Sequence, residues 1–405
     1  MDQVRMDGFT GPQGSRERAF SSRIEGRGRL VFEASRSLGP FEGLTIVAGW
    51  PKGYVSRPGP AQKTRYFLTD NLSVFAGFGG LLALLLYYLR TWTRVGKDPK
   101  KGTIIPRFEP PDGLSPASTR YILEMGFDNR AFASAVINLA VKGYLQIIEE
   151  SRVLGLRKTY TLKKNEAGPK RELSKGEKKL AETLFPGGIG TLELEKSNHE
   201  KISGAIETLK GVLKKEYSQS LFITNRKYRN GGILVTGAAL FLSVLGIHAT
   251  GMAPSVWMIM LWFILILGTN MVFNSLLKAP TRLGRRIMDR IEGFRMYLST
   301  AEEHRLEKLH PPDKTPELFE KYLPYALALE VDQQWSEKFA QTLERAAQAG
   351  YSPSWYAGSS WDSTRPGMFA SALGSSLSSA VSSSSTPPGS SSGFGGGGSS
   401  GGGGG

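Results

Sequence analysis

The sequence VWMIMLWFILILGTNMVFNSLL occupies residues 256–277 and contains no Asp, Glu, Lys or Arg. A helix needs roughly 20 apolar residues to cross about 30 Å of hydrocarbon, and this run has that length. Two more uncharged apolar runs, Leu72 to Leu89 and Ile233 to Ile247, lie upstream. The sequence therefore predicts three transmembrane helices, at residues 70–90, 231–250 and 255–277.

The second run is short, and a buried soluble helix is the alternative interpretation. An apolar partner follows it a few residues later, and basic clusters bracket the pair, which favours a membrane hairpin. The chain also carries a formal net charge of +15 and no cysteine. The positive net charge is better explained by anionic lipid headgroups beside the membrane helices than by DNA. The absence of cysteine excludes disulfide bonds and thiolate chemistry.

The basic residues also predict the orientation. Lys and Arg are retained on the cytoplasmic side, and the link from His248 to Ser255 contains neither. The second and third runs are flanked outside this link by basic residues: Arg226, Lys227, Arg229, Lys278, Arg282, Arg285, Arg286 and Arg290. We therefore expect a multi-pass protein of the plasma membrane, with an extracytoplasmic N-terminus and with residues 91–230 and 278–405 cytoplasmic.

Residues 1–66 are predicted to be an extracytoplasmic β remnant. Strand formers at Arg29–Glu33 and Gly43–Gly49 are followed by a turn at residues 50–53. So short a β region is not expected to fold alone. Residues 91–113 form a proline-bearing linker after the first span.

Residues 114–225 are predicted to form an α+β, winged-helix-like cytoplasmic domain. Ser115 and Asp128 are candidate N-caps of two helices, and two strands and two further helices with capping boxes follow. The strands are predicted at residues 144–150 and 158–164, and the capping boxes at Ser174 with Glu177 and at Ser197 with Glu200. Helix, helix, hairpin, helix is the order of a winged helix.

A winged helix also suggests nucleic-acid binding. The helix end and wing would supply basic residues, namely Lys142, Arg152, Arg157, Lys158, Lys163 and Lys164. The second helix carries Asn129, Arg130, Ser134 and Asn138, which is too few side chains of the base-reading type. The preferred interpretation is a solvated rim around a protein-binding module.

Residues 281–349 are predicted to be a small α-helical cytoplasmic domain. Arg282, Arg286 and Arg290 recur along one helix face and are predicted to lie on anionic headgroups at the membrane surface. Thr315-Pro316 begins another helix, and Asp332 is predicted to cap a third, which buries Trp335, Phe339 and Leu343. Residues 350–405 are rich in Gly and Ser and are predicted to be disordered, with incidental aromatics at Trp355, Tyr356, Trp361 and Phe369.

Four residues of the spans are candidates for helix–helix contacts. Ala76 and Gly80 have small-xxx-small spacing, although a lipid-facing glycine is an open alternative. Asn270 and Asn274 lie four residues apart in the third run and could hydrogen-bond to a neighbouring helix. No ionisable residue lies within the runs, which argues against transport.

The sequence contains no arrangement that points to an enzyme, a metal site or a cofactor. Its four histidines, His199, His248, His304 and His310, fall in separate segments without ligand spacing. The carboxylate pairs Glu149-Glu150 and Glu302-Glu303 are expected to face solvent. We therefore predict no catalytic, cofactor-binding or metal-binding residues, and the pattern carries no signal for an oligomeric state.

Several segments resemble one family, the bacterial predicted membrane proteins with domain of unknown function 2207 and a YciQ-like C-terminal half. They are GLTIVAGWPKG at 43–53, PPDGLSPASTRYI at 110–122, LAVKGYLQI at 139–147, LSKGEKKLAETLF at 173–185, EGFRMYLSTAEEHRL at 292–306 and LPYALALEV at 323–331. The resemblance implies an N-terminal extracytoplasmic β domain preceded by a signal peptide. Most of that domain and the signal are missing here, which suggests a truncated start or a divergent member. The family offers no activity or site residues to carry over.

The resulting hypothesis is a membrane-anchored interaction or scaffold protein. Its expected partners are a bilayer with anionic headgroups and an unidentified protein. The alternative is a membrane-tethered winged-helix regulator that binds nucleic acid.

Overall fold

The computed structural model describes residues 4–26, 28–53, 56–152, 157–166, 171–251, 254–300 and 312–388. The chain divides into two compact units, Met1–Phe78 with Phe241–Met258 and Gly79–Leu240 with Ile259–Gly405. The first unit contains the N-terminal strands. The second contains most of the apolar helices and a folded part, residues 97–225 and 278–388, that we call the body.

The first unit contains two antiparallel strand pairs. β1 (Arg5–Gly11) pairs with β4 (Gly43–Gly49), and β2 (Phe20–Glu25) pairs with β3 (Arg29–Ala34). The predicted strands β3 and β4 are confirmed, whereas β1 and β2 have no clear alternation of apolar residues and were not predicted. The helix α1 (Pro60–Asp70) follows, with proline at its first position. Residues 60–66 are therefore helical, and their assignment to the β remnant is wrong.

Three helices are long and apolar enough to cross a membrane within the described residues. They are α2 (Leu72–Thr91), which continues as a π turn at Trp92–Gly96, α7 (Arg226–Thr250) and α8 (Val256–Leu276). In the most apolar stretch of α2, α7 and α8, only 22%, 22% and 11% of the residues, respectively, are buried within the protein. The remaining side chains are therefore available for lipid, as expected of helices in hydrocarbon.

The body combines helices with one mixed sheet. Its first part contains α3 (Pro116–Leu123), α4 (Asn129–Val141), β5 (Leu145–Arg152), β6 (Arg157–Lys164), α5 (Lys175–Leu184), β7 (Thr191–Glu193), α6 (His199–Tyr217) and β8 (Phe222–Ile223). The part after the spans contains β9 (Ala279–Pro280), α9 (Arg282–Ser299), α10 (Pro316–Ala328), α11 (Asp332–Glu337), α12 (Ala340–Gln348), β10 (Tyr356–Ala357) and α13 (Pro366–Ser384). The sheet order is β10-β5-β6-β7, and only β10 runs parallel to its neighbour.

The body has one continuous hydrophobic core. Residues from before the second span, such as Phe132 and Leu162, share that core with Phe294, Leu323 and Trp335 from after the third span. The prediction of separate domains at 114–225 and 281–349 is therefore wrong. The helices α10 and α13 pack on α4, which brings together segments separated by two apolar runs. Sequence spacing gave no sign of this long-range packing.

The winged-helix order is present, since α3, α4, β5, β6 and α5 follow one another. However, α4 is the centre of the body, and its residues Ala131 to Ala140 are all buried. A winged-helix module would present this helix on its surface. The resemblance is therefore limited to the order of the elements.

The C-terminal segment is ordered up to residue 388, so the prediction of disorder from residue 350 is wrong for this part. α13 buries Phe369, Leu373, Leu377 and Val381, which recur every fourth residue and form one apolar stripe. Trp355 and Tyr356 are also buried, so the aromatics are not incidental. The many serines of this segment obscured the stripe. Residues 389–405 lie outside the described residues.

Most predicted helix starts are confirmed. Ser115, Asp128 and Thr315 accept a hydrogen bond from the first turn of their helices, and Ser174 with Glu177 forms the full capping box. The box at Ser197 is wrong, because residues 196–198 form a 3-10 turn and α6 starts at His199. Asp332 lies in the first turn of α11 without capping it.

Candidate functional site at the ends of the membrane helices

Asn225 connects the ends of the three apolar helices. Its side-chain amide donates to the carbonyl oxygens of Val95 at 3.0 Å and Leu277 at 2.9 Å, at the ends of the first and third helices. Its own carbonyl oxygen accepts from the amides of Tyr228 and Arg229 in the first turn of α7. The backbone of Asn225 is left-handed, with φ of 47°, which asparagine tolerates better than most residues. One side chain thus satisfies carbonyls that helix ends leave without intrahelical partners.

The chain entering α7 is also bonded to the chain leaving α8. The short strands β8 and β9 pair with each other, and the amide of Thr281 donates to the carbonyl of Leu221 at 2.8 Å. The Thr281 hydroxyl caps α9 through the amide of Gly284 at 3.0 Å. A Cβ at Gly284 would lie 1.8 Å from the Leu221 oxygen, so only glycine allows this approach. Backbone contacts therefore hold the body segment before α7 against the body segment after α8, next to the ends of these two helices.

The inner face of α9 carries a buried ion-pair network. Arg285 contacts Asp289 and Glu292, each at 2.7 Å. Asp289 also accepts from the amide of Gly102 at 2.9 Å, and Lys101 lies 3.4 Å from Glu292. Burial acts to lower the pKa of Arg285, but the two carboxylates outweigh it and the pKa is raised. The network fastens the linker after the first span to α9.

The outer face of α9 carries the residues predicted to meet the membrane surface. Arg282, Arg286 and Arg290 are all exposed and recur every fourth residue. Arg285 points the other way and is buried. The structure therefore gives α9 a basic outer face close in sequence to the end of α8, and contact with anionic headgroups stays a prediction.

The polar candidate Asn270 lies among the three helices. Its Oδ1 accepts from the hydroxyl of Tyr88 on α2 at 2.8 Å, and its Nδ2 donates to the hydroxyl of Thr236 on α7 at 3.2 Å. Asn274 is exposed and accepts only a longer bond, 3.3 Å, from Arg229. The two asparagines therefore have different environments, although their spacing suggested equal roles.

The small-residue candidates also differ from each other. A Cβ at Gly80 would lie 2.3 Å from the Cβ of Ala239, so α2 and α7 are in backbone contact there. Ala76 is half-buried, and the buried small residues nearby are Ser73 and Gly77. Ser73 and Gly77 lie seven and three residues before Gly80, so they share its helix face, and the sequence analysis did not name them.

Tyr88 and Asn225 are the residues that the sequence analysis missed. Tyr88 is fully buried and stacks on Phe273 with ring centroids 4.8 Å apart. Its signal was a tyrosine near the end of an apolar run, where aromatic residues usually mark the lipid interface. Asn225 gave no signal, because a left-handed capping residue depends on chain ends that are distant in sequence.

The described residues contain no group of three or more His, Cys, Asp or Glu side chains that could bind a metal ion. His304, His310, Glu302 and Glu303 lie outside the described residues. Glu149 was expected to face solvent, but its side chain is buried, with 6% of the residue exposed. The hydroxyl of Tyr160 and the ammonium group of Lys158 contact its carboxylate there.

Comparisons with known proteins relate the chain to a family of predicted membrane proteins. Residues 104–339 match the model of the predicted membrane protein (DUF2207) C-terminal domain. The chain is 24% identical over 268 residues to the uncharacterized protein YciQ of Escherichia coli (strain K12), covering 64% of this chain and 41% of that protein. The chain thus spans about two-fifths of the length of this relative.

No solved structure matches the chain. The family match covers more than half of the sequence, including most of the body and two of the three apolar helices. The chain therefore belongs to the DUF2207 family of predicted membrane proteins.

Proposed function

We propose that this protein is a membrane-anchored interaction protein, which holds an unidentified protein partner at the cytoplasmic face of the plasma membrane. The observation that carries the proposal is the junction at Asn225, Thr281 and Gly284. The side chain of Asn225 bonds the ends of the first and third helices, and its carbonyl bonds the first turn of α7. Thr281 and Gly284 hold the segment after α8 against Leu221 in the segment before α7. Such a junction gives a folded surface a fixed position near the bilayer.

The orientation rests on the basic residues around α7 and α8. Arg226, Lys227 and Arg229 lie in the first turn of α7, and Lys278 and Arg282 follow α8. The link between the two helices contains no Lys or Arg. Because basic residues stay on the cytoplasmic side, the body belongs in the cytoplasm.

The outer face of α9 supports a contact with lipid. Each basic residue near an anionic membrane surface contributes about 1 kcal/mol. Arg282, Arg286 and Arg290 are exposed together on this face, whereas Arg285 is buried inside the body. The three exposed guanidinium groups would keep α9 against the headgroups.

The alternative, a nucleic-acid-binding regulator, receives less support from the fold. The helix that would read a major groove is α4, and its polar residues Ser134 and Asn138 are 1% and 2% exposed. Asn138 donates to the buried carboxylate of Glu177. A helix packed on all sides cannot contact base edges, so binding through the winged-helix mode would require the body to open.

Proximity labelling tests the proposed interaction. A biotin ligase is fused to the C-terminus of the full chain, and the same ligase on an unrelated three-span anchor is the control. We expect a reproducible set of proteins enriched over the control. If no protein is enriched, the interaction role is contradicted, whatever the membrane topology.

The orientation can be tested by cysteine labelling, because the chain contains no natural cysteine. Ser255→Cys lies before α8, and Ser352→Cys lies in the body; both positions are exposed. An impermeant maleimide should label Ser255→Cys in intact cells and Ser352→Cys only after permeabilisation. The opposite pattern would invert the proposed topology.

Lipid contact by α9 is tested in vesicles. A spin label at Met296→Cys, which is exposed on α9, should become less accessible to a water-soluble relaxation agent when anionic lipid replaces neutral lipid. Arg282→Gln/Arg286→Gln/Arg290→Gln should abolish this difference. Lys175→Gln/Lys178→Gln/Lys179→Gln on α5 is the charge-matched control and should preserve it.

A further inference from the structure

The body contains a polar cavity that the proposed interaction role does not use. Its volume is about 610 Å³, within the range of small-molecule sites. Its walls come from the end of α4, the β5–β6 hairpin, the residues that precede α5, α10 and the segment before β10. The cavity thus lies where the first part of the body meets its C-terminal segment.

Positive charge dominates the ionisable groups of the wall. Lys163, Lys164 and Arg171 line the cavity, and Glu320 is the one carboxylate among the described lining residues. Burial raises the pKa of Glu320, and this outweighs the lowering effect of Tyr351, Trp355 and Arg171. The wall therefore favours a ligand with negative charge.

A buried donor in the same wall has only a poorly aligned acceptor, the Glu320 carboxyl. Trp355 is 4% exposed, and within the described part of the chain its indole Nε1 makes no hydrogen bond of acceptable geometry. The indole nitrogen can only donate, and a buried donor without a well-aligned partner is destabilising. The Trp355 N–H lies near Glu320 in the cavity wall, so a ligand oxygen beside that carboxyl would satisfy it.

We propose that this cavity binds a small organic phosphate, with the phosphate group at Lys163 and Arg171 and an oxygen of the organic part at the Trp355 indole. Lys164 follows Lys163 in β6, so its side chain points to the other face of the sheet, where it lies 3.7 Å from Glu166. Two cations match the double charge of a phosphate monoester better than the single charge of a carboxylate. The indole then selects a hydroxyl or carbonyl oxygen on the attached group. The phosphate group belongs either to a soluble metabolite or to a lipid headgroup, since both can carry a phosphate monoester.

Binding would also strengthen the attachment of the C-terminal segment. That segment already accepts two hydrogen bonds across the cavity edge: the amide of Ile147 donates to the Trp355 carbonyl at 2.9 Å, and the side-chain amide of Gln146 donates to the Ser354 carbonyl at 3.0 Å. A ligand between the hairpin and Trp355 adds contacts to both. Protease cleavage within residues 351–365 should therefore slow when the ligand is bound.

Calorimetric titration of the full chain in neutral detergent provides the test. The probes are glycerol 3-phosphate, as a soluble phosphate monoester, and dihexanoyl phosphatidic acid below its micellar concentration, as a lipid headgroup that is also a phosphate monoester. Saturable binding of either probe supports the site, and the tighter one identifies the source. Glycerol, which lacks the phosphate, should not bind.

Substitutions of residues that line the cavity test whether the ligand binds there. Lys163→Ala and Arg171→Ala should each weaken binding about tenfold, as expected for a charge-assisted hydrogen bond. Trp355→Phe removes the donor and should weaken it about fivefold. Lys178→Ala removes the same charge from an exposed position on α5 and should leave the affinity unchanged.

Two results would overturn the proposal. One is the absence of saturable binding of both probes at concentrations up to the millimolar range. The other is an equal loss of affinity in Lys178→Ala and Lys163→Ala, which would mean general attraction to a basic protein. Because these measurements use isolated protein, they stand apart from the outcome of proximity labelling.

Discussion

The membrane helices and the body are stabilised in different ways. The body buries large aromatic side chains in one core: Trp335, for example, is 1% exposed and contacts the rings of Tyr297, Tyr322 and Phe339 at centroid distances of 5.7, 5.8 and 4.6 Å. Among the spans, the buried apolar cluster is limited to Leu84, Tyr88, Ile266, Phe273 and Leu277 with a few half-buried neighbours. Apolar surface is abundant in both regions, but only the body buries most of it.

The solvent explains the difference. In water, burying apolar area contributes roughly 25 cal/mol per Å², so the body is stabilised by its core. In hydrocarbon that gain disappears, and helices associate through close packing and hydrogen bonds. The contacts of Gly80 with Ala239 and of Asn270 with Tyr88 and Thr236 are of this kind. Small and polar residues therefore matter most in the spans, and large apolar residues matter most in the body.

The largest expected effect comes from comparing a buried tryptophan of the body with an exposed tryptophan of the membrane helices. Trp335→Ala should cost about 3–5 kcal/mol of unfolding free energy, because it leaves a cavity in the core. Trp257→Ala on α8, a position that is 81% exposed, should cost less than about 1 kcal/mol. The thermal unfolding midpoint in detergent would measure both. Equal losses would mean that Trp257 is buried in an assembly or that the body core is loosely packed.

The second test compares two adjacent glycines in one helix. Gly80→Val must displace α2 from α7 and should cost about 1–3 kcal/mol. Gly79→Val introduces the same side chain where nothing lies within 4 Å. Unfolding by sodium dodecyl sulfate in mixed micelles should separate the two variants. If both behave alike, α2 and α7 do not touch at this position.

A third test concerns a buried carboxylate of the body. The hydroxyls of Tyr160 and Ser360 and the ammonium group of Lys158 bind Glu149. Burial raises its pKa, but these three partners outweigh burial and lower it. Glu149→Gln should cost about 1.5–3 kcal/mol, the range for hydrogen bonds to a charged group. Glu150→Gln, on the neighbouring exposed residue, is the control.

The lowered pKa of Glu149 also predicts how the stability of the body depends on pH. The folded-state pKa of Glu149 lies below the ordinary glutamate value of 4.5, so its stabilising contribution is present above pH 4.5 and is lost as the pH falls through the folded-state pKa. Proteolysis near Ser360, which bonds Glu149, should therefore accelerate in acid for the wild type. A Glu149→Gln protein that shows the same acid response would assign the effect to another group.

The smallest effect is expected from the polar contact in the spans. Asn270→Leu removes bonds to two helices, and hydrogen bonds between membrane helices average about 0.6 kcal/mol each. The total loss should be about 1 kcal/mol. Asn274→Leu, which is exposed and accepts one long bond, should lose less. A larger loss for Asn274 would reverse the assigned environments.

Most of the secondary structure could be predicted from local signals. Caps such as Asp128 and Ser174 lie within a few residues of the amides they bond, so sequence spacing is sufficient. Errors arose where the decisive contact is distant. The stripe from Phe369 to Val381 was judged by its serine-rich background, yet it packs on α4, more than 200 residues earlier. Asn225 and Trp355 were missed for the same reason.

The sequence by itself determined that three segments are suited to hydrocarbon, that basic residues flank them, and which residues cap α3, α4, α5 and α10. Those properties depend on composition and on spacing over one or two helical turns. Only the tertiary structure decided that the parts before and after the spans share one core, that α4 is buried, and that Lys163 and Arg171 line the same cavity as Trp355. Such contacts join residues far apart in the chain, and their free energy comes from surfaces that meet only after folding.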